Sequence, residues 1–281
     1  MILDPPVAPG EHGRYLAPMR RHLRLASTSP VNLAKNERHL FAASHALRIY
    51  RERAIYSFIP KNGCTALRYA LAIANGVLRP GDDLRWVHKN NGTFVATLPD
   101  LILADYTFIV VRCPYRRLAS AFLDKIIGEQ GRRDRFVTAT GIAETSITFR
   151  RFAKAMSDHT AQHADHHWAP QIDFFIYSEY DDIFCLEDFD AMVRLLKDRI
   201  DLDVFDVRKQ VRHGLDAYTP VDGDFADMPI AEIAAMRREG RSPTAASLYD
   251  AGTFDAVSLA YAEDIALHRE WSPAGSQLTL D

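Results

Sequence analysis

The stretch AIYSFIPKNGCTALR, Ala54 to Arg68, decides how the rest of the chain is read. Ala54 to Ile59 is a short apolar, β-branched run stopped by Pro60, and from Thr65 the apolar residues Leu67, Leu71 and Ile73 follow a helical period. The spacing predicts strand, tight loop, helix. In the loop, Lys61, Asn62, Gly63, Cys64, Thr65 and Ala66 combine a cation, a glycine and a hydroxyl where free amides and the positive end of a helix would face an anion. An ordinary strand-to-helix turn also favours Gly, Asn and Thr, so the loop alone leaves both readings open. It is not a Walker A loop, because Lys61 precedes the glycine instead of preceding the hydroxyl. Nor does it match a Cys-x5-Arg phosphatase cradle, since Arg68 follows Cys64 too soon.

Working outward, Leu33, Leu40, Ala43, Leu47 and Tyr50 predict an amphipathic helix over about 32–51. Residues 1–32, with five prolines and the basic patch Arg20, Arg21, His22 and Arg24, read as an irregular, solvated arm preceding a single domain over 33–281. Leu84 to Val87 reads as a second strand, with His88 just past its end. In an open parallel sheet, ligands bind beyond the carboxyl ends of the strands, so His88 is expected on the same rim as Lys61. Tyr106 to Val111 is a third, fully buried strand. Arg112 ends it, Pro114 opens a helix with Leu118, Phe122 and Ile126 on its buried face, and Ser120 lies on that helix. Arg112 is the natural bidentate holder of a second anion, whereas Arg116 and Arg117 read as surface charge.

The chain has 281 residues, 47% hydrophobic and 25% charged, with a net charge of −3, which suits a globular α/β domain and not a general nucleic-acid binder. Cys64, Cys113 and Cys185 are few and odd in number, so a disulfide framework is not expected and a cytoplasmic setting fits. No run reaches the ~20 apolar residues of a membrane span.

Further along, GEQGRRDR at 128–135 reads as a charged loop, Ile147 to Met156 as a helix, and Asp181 to Leu186 as a fourth strand leading through Glu187 and Asp188 into a helix. His159, His163 and His167 would share a face if their segment were helical, a spacing that can bind zinc. Trp168-Ala169-Pro170 breaks such a helix and no cysteine accompanies it, so no metal is expected there. Residues 201–243 read as a cover or short helices, and about 251–270 as one closing helix.

With these residues in view, PKNGCTALR and VRCPYRRLASAF resemble the two co-substrate motifs of sulfotransferases that use 3′-phosphoadenosine 5′-phosphosulfate (PAPS), and most of all the carbohydrate sulfotransferase branch. His167-Trp168-Ala169-Pro170-Gln171 resembles that branch's His-Trp-x-Pro-Gln signature, and Leu248-Tyr249 through Tyr261-Ala262-Glu263-Asp264 resembles its closing helix. Cys113 departs from the pattern, standing where an acidic residue is common. The resemblance implies a three-layer, P-loop-like α/β fold with a central, mostly parallel sheet flanked by helices, and transfer of a sulfuryl group to a hydroxyl of a carbohydrate or glycolipid. It implies that Lys61, the amides of Asn62 to Ala66 and the Thr65 hydroxyl hold the 5′-phosphate, that Arg112 and Ser120 hold the 3′-phosphate, and that no metal is needed. It implies His88 as general base, with His167 as the competing base. A kinase using ATP and magnesium is the alternative, disfavoured by the missing Lys-Ser/Thr pair and the missing acidic strand end.

Overall fold

The computed structural model describes residues 21–205, 207, 217–276 and 278. In chain order its helices and strands are α1 (Glu37–Ser44), β1 (Ala46–Ile49), β2 (Ala54–Ser57), α2 (Cys64–Ala74), α3 (Trp86–Lys89), α4 (Leu98–Ile102), β3 (Tyr106–Val111), α5 (Pro114–Ala121), α6 (Gln130–Thr140), α7 (Phe149–Ala155), α8 (His159–Gln162), β4 (Asp182–Cys185), α9 (Phe189–Ile200), β5 (Thr219–Val221), α10 (Ile230–Arg238), β6 (Arg241–Pro243), α11 (Ala251–Ala260) and α12 (Ala262–Trp271).

Strands β1 to β4 form one sheet in sequence order. β1 runs antiparallel to β2, whereas β2, β3 and β4 are parallel, with Ser57 opposite Ile109 and Val111 opposite Cys185. Alternate residues point to opposite faces, as the period of a strand requires. Tyr56, Phe108, Val110 and Phe184 pack under Leu67, Leu71, Met192 and Leu196 of α2 and α9. Ile109 and Val111 face the other way, onto Phe174 and Phe175 with Phe41 of α1 and Leu267 of α12 beside them. The sheet is therefore sandwiched between helices, and a separate helical cluster around Phe122, Phe136, Phe149, Phe152 and Trp168 extends the core.

Three sequence expectations change here. The helix expected over 32–51 stops at Ser44, because Leu47 and Ile49 are both buried on one face of β1 and Arg48 is not, a period of two that the wider spacing had masked. Leu84 to Val87 is no strand. Asp83 accepts the Arg85 amide at 3.0 Å, the Trp86 amide bonds Asp83 O at 3.0 Å, and only Leu84 and Val87 are buried, a three-residue spacing that suits the one-turn helix α3. The loss of that strand leaves β2 and β3 as direct neighbours. The single closing helix is two, α11 and α12, broken at Tyr261, whose hydroxyl bonds Trp168 O at 2.6 Å.

Elsewhere, the loop expected at 128–135 becomes helical from Gln130 onward. Residues 1–20, including Arg20, and residues 206 and 208–216 of the expected cover lie outside the described residues. Within the rest of the basic patch His22 is exposed, but Arg21 is not free in solvent. Arg21 is clamped by Ala104 O, Asp105 O and Asp181, and Leu23 bridges to Tyr177. No helix among the described residues is long and apolar enough to cross a membrane. The three cysteines are free.

Candidate active site

The turn from β2 into α2 carries two left-handed residues, Lys61 at φ 73° and Gly63 at φ 71°. At Gly63 a side chain would also collide, since a Cβ would stand 2.9 Å from Leu186 Cδ1. The Asn62 amide bonds Ile59 O and the Ala66 amide bonds Gly63 O. The amides of Lys61, Gly63, Cys64 and Thr65 have no acceptor among the described residues, and α2 has no side-chain cap. These groups point where the helix dipole is positive, which is the form of an anion cradle. The cradle is narrower than the Asn62-to-Ala66 span expected from sequence. The Asn62 side chain is fully buried and turned inward, donating to Val110 O at 2.9 Å and Gln171 Oε1 at 2.6 Å.

The turn from β3 into α5 lies alongside. Arg112 donates from its guanidinium to Lys61 O at 2.8 Å, tying the two turns together. Gln171 does the same from below: its Oε1 accepts the Arg112 amide at 3.0 Å and its Nε2 donates to Arg112 O at 2.9 Å. Gln171 is placed in turn by Asp264, whose carboxylate accepts the amides of Gln171 and Ile172 at 2.7 and 3.0 Å. Burial pushes the Asp264 carboxyl up to about 6. The Ser120 hydroxyl, on buried α5, has no hydrogen-bond partner among the described residues.

Arg117 is not surface charge. It is 3% exposed and donates to Pro60 O, Ala169 O and His166 O at 3.1, 2.7 and 3.3 Å, so it staples the first turn to the His-Trp-Ala-Pro-Gln segment. Removing it orphans three carbonyls. Arg117→Ala is expected to destabilise the fold by about 2–4 kcal/mol in urea unfolding, with Arg117→Lys recovering little because an ammonium lacks the planar fork.

Lys61 reaches Asp124 at 2.8 Å, and Lys125 reaches the same carboxylate at 3.1 Å and also pairs with Glu129. Asp124 and Lys125 sit in a π-helical turn, Phe122–Ile126, that continues α5. Such turns re-aim side chains at functional sites. Burial alone would raise the Asp124 carboxyl, but the two ammonium groups outweigh it and hold it at about 2. Burial lowers the Lys61 ammonium, and Asp124 counteracts this.

His88 lies on α3, with its exposed ring free of hydrogen bonds among the described residues. Crowding lowers its pKa, followed by the charges of Arg68 and Lys125, while Asp124 and Glu129 oppose the shift. The ring therefore sits in the field of the same ion chain that holds Lys61. Arg68, buried at the base of α2, braces the α3 loop by donating to Val87 O and Asn91. His167 behaves differently. Asp165 accepts from its Nδ1 at 2.6 Å, and burial drives the ring down to about 3, leaving a neutral imidazole.

His159 and His163 stack with ring centroids 4.0 Å apart, but His167 does not join them. α8 is a single turn, His163 turns to Asp173 at 2.9 Å, and His167 turns to Asp165. A cavity of about 410 Å³ shares no lining residue with the two strand-to-helix turns and lies against Leu25, Thr28, Pro30, Val31, Lys35 and the start of α1. Lys35 and Arg38 also line it, but beside Glu37 and without the paired strand-to-helix turns that meet at Lys61 and Arg112, so the candidate site is placed at those turns.

Buried histidines make the region acid-sensitive. His45 contacts His166 at 3.3 Å, and burial holds the His45 ring at about 4. The unfolded chain binds this proton below about pH 6.5, and the folded chain does not until about pH 4. Stability is therefore complete above pH 6.5 and is lost as pH falls through that window, by up to about 3 kcal/mol for His45 alone. Urea midpoints measured from pH 7 to pH 4.5 should show the fall, and His45→Gln should flatten it.

Two adjoining strand-to-helix turns at the carboxyl edge of a mostly parallel sheet, covered by helices on both faces, make a three-layer, P-loop-like α/β fold. The sequence matches the Sulfotransferase family over residues 44–208, more than half of the chain, and the protein belongs to that family. It is 30% identical over 142 residues to carbohydrate sulfotransferase 14 of Mus musculus and, to the same extent, to that of Homo sapiens. Each match covers 45% of this chain and 38% of the relative, so the chain aligns with well under half the length of those proteins. No solved structure matches the chain.

The residues that sequence reasoning missed are Asp124, Lys125, Asp165, Arg117 and Gln171. Gln171 and Arg117 lay inside motifs already noted, so motif membership was a signal for them. The ion chain had none, because it depends on the π turn.

Proposed function

We infer that this protein transfers a sulfuryl group from PAPS to a hydroxyl group, on a carbohydrate or glycolipid acceptor, with no metal at the reacting centre. The observation that carries this reading is the bond from Arg112 to Lys61 O, which sets the two strand-to-helix turns side by side and so supports a nucleotide phosphorylated at both ends as the ligand. The residues fit such a group. Four unpaired amides and the Thr65 hydroxyl suit the 5′-phosphate, and Arg112 with the unpartnered Ser120 hydroxyl suits the 3′-phosphate. When bound, PAPS supplies an activated sulfuryl group on a good leaving phosphate.

The work of the chain is then alignment and charge neutralisation, as in phosphoryl transfer. Lys61 steadies the negative charge that builds on the 5′-phosphate oxygen as its bond to sulfur breaks. His88 takes the proton from the acceptor hydroxyl as the new oxygen–sulfur bond forms. His167, held by Asp165, is the rival base, and the two are separated by comparing His88→Ala with His167→Ala. With His88 as base, kcat/KM should climb as pH rises through a pKa below 6.5 and then level off, because only the neutral ring accepts a proton.

Calorimetry with adenosine 3′,5′-bisphosphate and with ATP plus magnesium tests the reading. Tight binding of the bisphosphate and weak binding of ATP are expected. The reverse would sink it in favour of a kinase. A screen of sugar and lipid hydroxyls with labelled PAPS would then identify the acceptor.

A further inference from the structure

Side chains also converge at the carboxyl end of β4, and the transfer chemistry does not use them. Cys185 closes the strand, Glu187 stands in the 3-10 turn Leu186–Asp188, and His268 comes from the last turn of α12. Cys185 Sγ lies 2.9 Å from Glu187 Oε2 and 3.3 Å from His268 Nε2. The third edge, His268 Nε2 to Glu187 Oε2, is 3.3 Å. Cys185 and His268 are 5% and 1% exposed. A sulfur, a ring nitrogen and a carboxylate oxygen from three elements thus share one small, nearly dry triangle.

We propose that this triangle is a zinc site with three protein ligands, in which a water molecule completes the tetrahedron. Tetrahedral zinc, with bonds of about 2.3 Å to sulfur and about 2.0–2.2 Å to nitrogen and oxygen, places its donors roughly 3.3–3.6 Å apart. The nitrogen–oxygen edge already matches, the sulfur–nitrogen edge needs to open by roughly a quarter of an ångström, and the sulfur–oxygen edge by roughly 0.7 Å. The other Glu187 oxygen, Oε1, accepts the Cys113 amide at 3.0 Å, the kind of outer hydrogen bond that holds a ligating carboxylate in place. A thiolate, an imidazole and a single carboxylate suit zinc and not magnesium or calcium, which take oxygen sets.

On binding, the Cys185 thiol releases its proton to solvent and its sulfur forms the bond to the ion, while His268 binds through an unprotonated Nε2 with its proton on Nδ1. The ion fastens the end of α12 to β4 and, through Glu187, to the Arg112–Cys113 turn. It touches no reacting atom. The comparable group Asp165, His166 and His167 is a poorer site, because Asp165 already serves Arg132, Arg135 and His167.

The test strips the full chain with a chelator and titrates it with cobalt(II), after zinc content has been measured by mass spectrometry on protein purified without chelator. Stoichiometric zinc, a thiolate-to-cobalt charge-transfer band and a lower melting temperature after stripping are expected. Cys185→Ser should abolish the band, His268→Ala should weaken cobalt affinity by about tenfold or more, and His159→Ala should leave both unchanged. Absence of metal uptake by the wild type, uptake without the thiolate band, or a band that survives Cys185→Ser would each overturn the site. In all three cases Cys185 and His268 simply donate hydrogen bonds to Glu187. The wild-type titration does not depend on any variant folding, and bisphosphate binding remains a separate test of the transferase reading.

Discussion

Lys61→Ala is expected to cut sulfuryl transfer by about 10²- to 10³-fold while weakening adenosine 3′,5′-bisphosphate binding far less. The asymmetry follows from where the charge develops. On the proposed reading the 5′-phosphate of the resting nucleotide meets the amides of Gly63, Cys64 and Thr65, which have no acceptor among the described residues, so one ammonium adds a modest share of ground-state affinity. As the bond to sulfur breaks, negative charge grows on the bridging oxygen, and a cation at that point acts mainly in the transition state. Lys61 is well placed for this, being half-buried, pinned on a left-handed turn and fixed by Asp124. Single-turnover rates with labelled PAPS, beside calorimetric affinities, check the claim. Equal losses in rate and in bisphosphate affinity would show that Lys61 only binds.

Arg112→Ala should show the opposite pattern, raising the dissociation constant for the bisphosphate by about 10- to 100-fold. Its guanidinium is the strongest donor available to a second phosphate, and it also holds Lys61 O at 2.8 Å, so its loss removes a ligand group and slackens the first cradle together. Arg112→Lys should recover only part of the loss, since a single ammonium cannot bond both partners in one plane. Adenosine 5′-phosphate, which lacks the 3′ group, serves as the control: its affinity should fall much less in Arg112→Ala. An equal fall for both nucleotides would place Arg112 away from the 3′ end.

The two turns were legible in the sequence because each is written locally, as a β-branched run, a breaker and a helical period within about fifteen residues. The helix over 32–51 and the strand at Leu84 to Val87 were misread for one common reason. Four or five apolar residues can satisfy a period of two or of nearly four, and burial then decides. At Ile49 the neighbour β2 supplies a strand partner, whereas at Val87 the Asp83 carboxylate captures the Arg85 amide and turns the chain. Arg117 looked like surface charge because nothing in its neighbours along the chain announces that three carbonyls, from Pro60, His166 and Ala169, will close around it.

By itself, the sequence determined the α/β class and the two strand-to-helix turns that carry Lys61 and Arg112, since these rest on short-range patterns of backbone freedom and charge. Only the tertiary structure decided that β2 and β3 are neighbours, that Gln171 and Arg117 brace one turn against the other, and that Lys61 rests on Asp124. Those contacts join residues 50 to 110 positions apart, and packing alone brings such partners together.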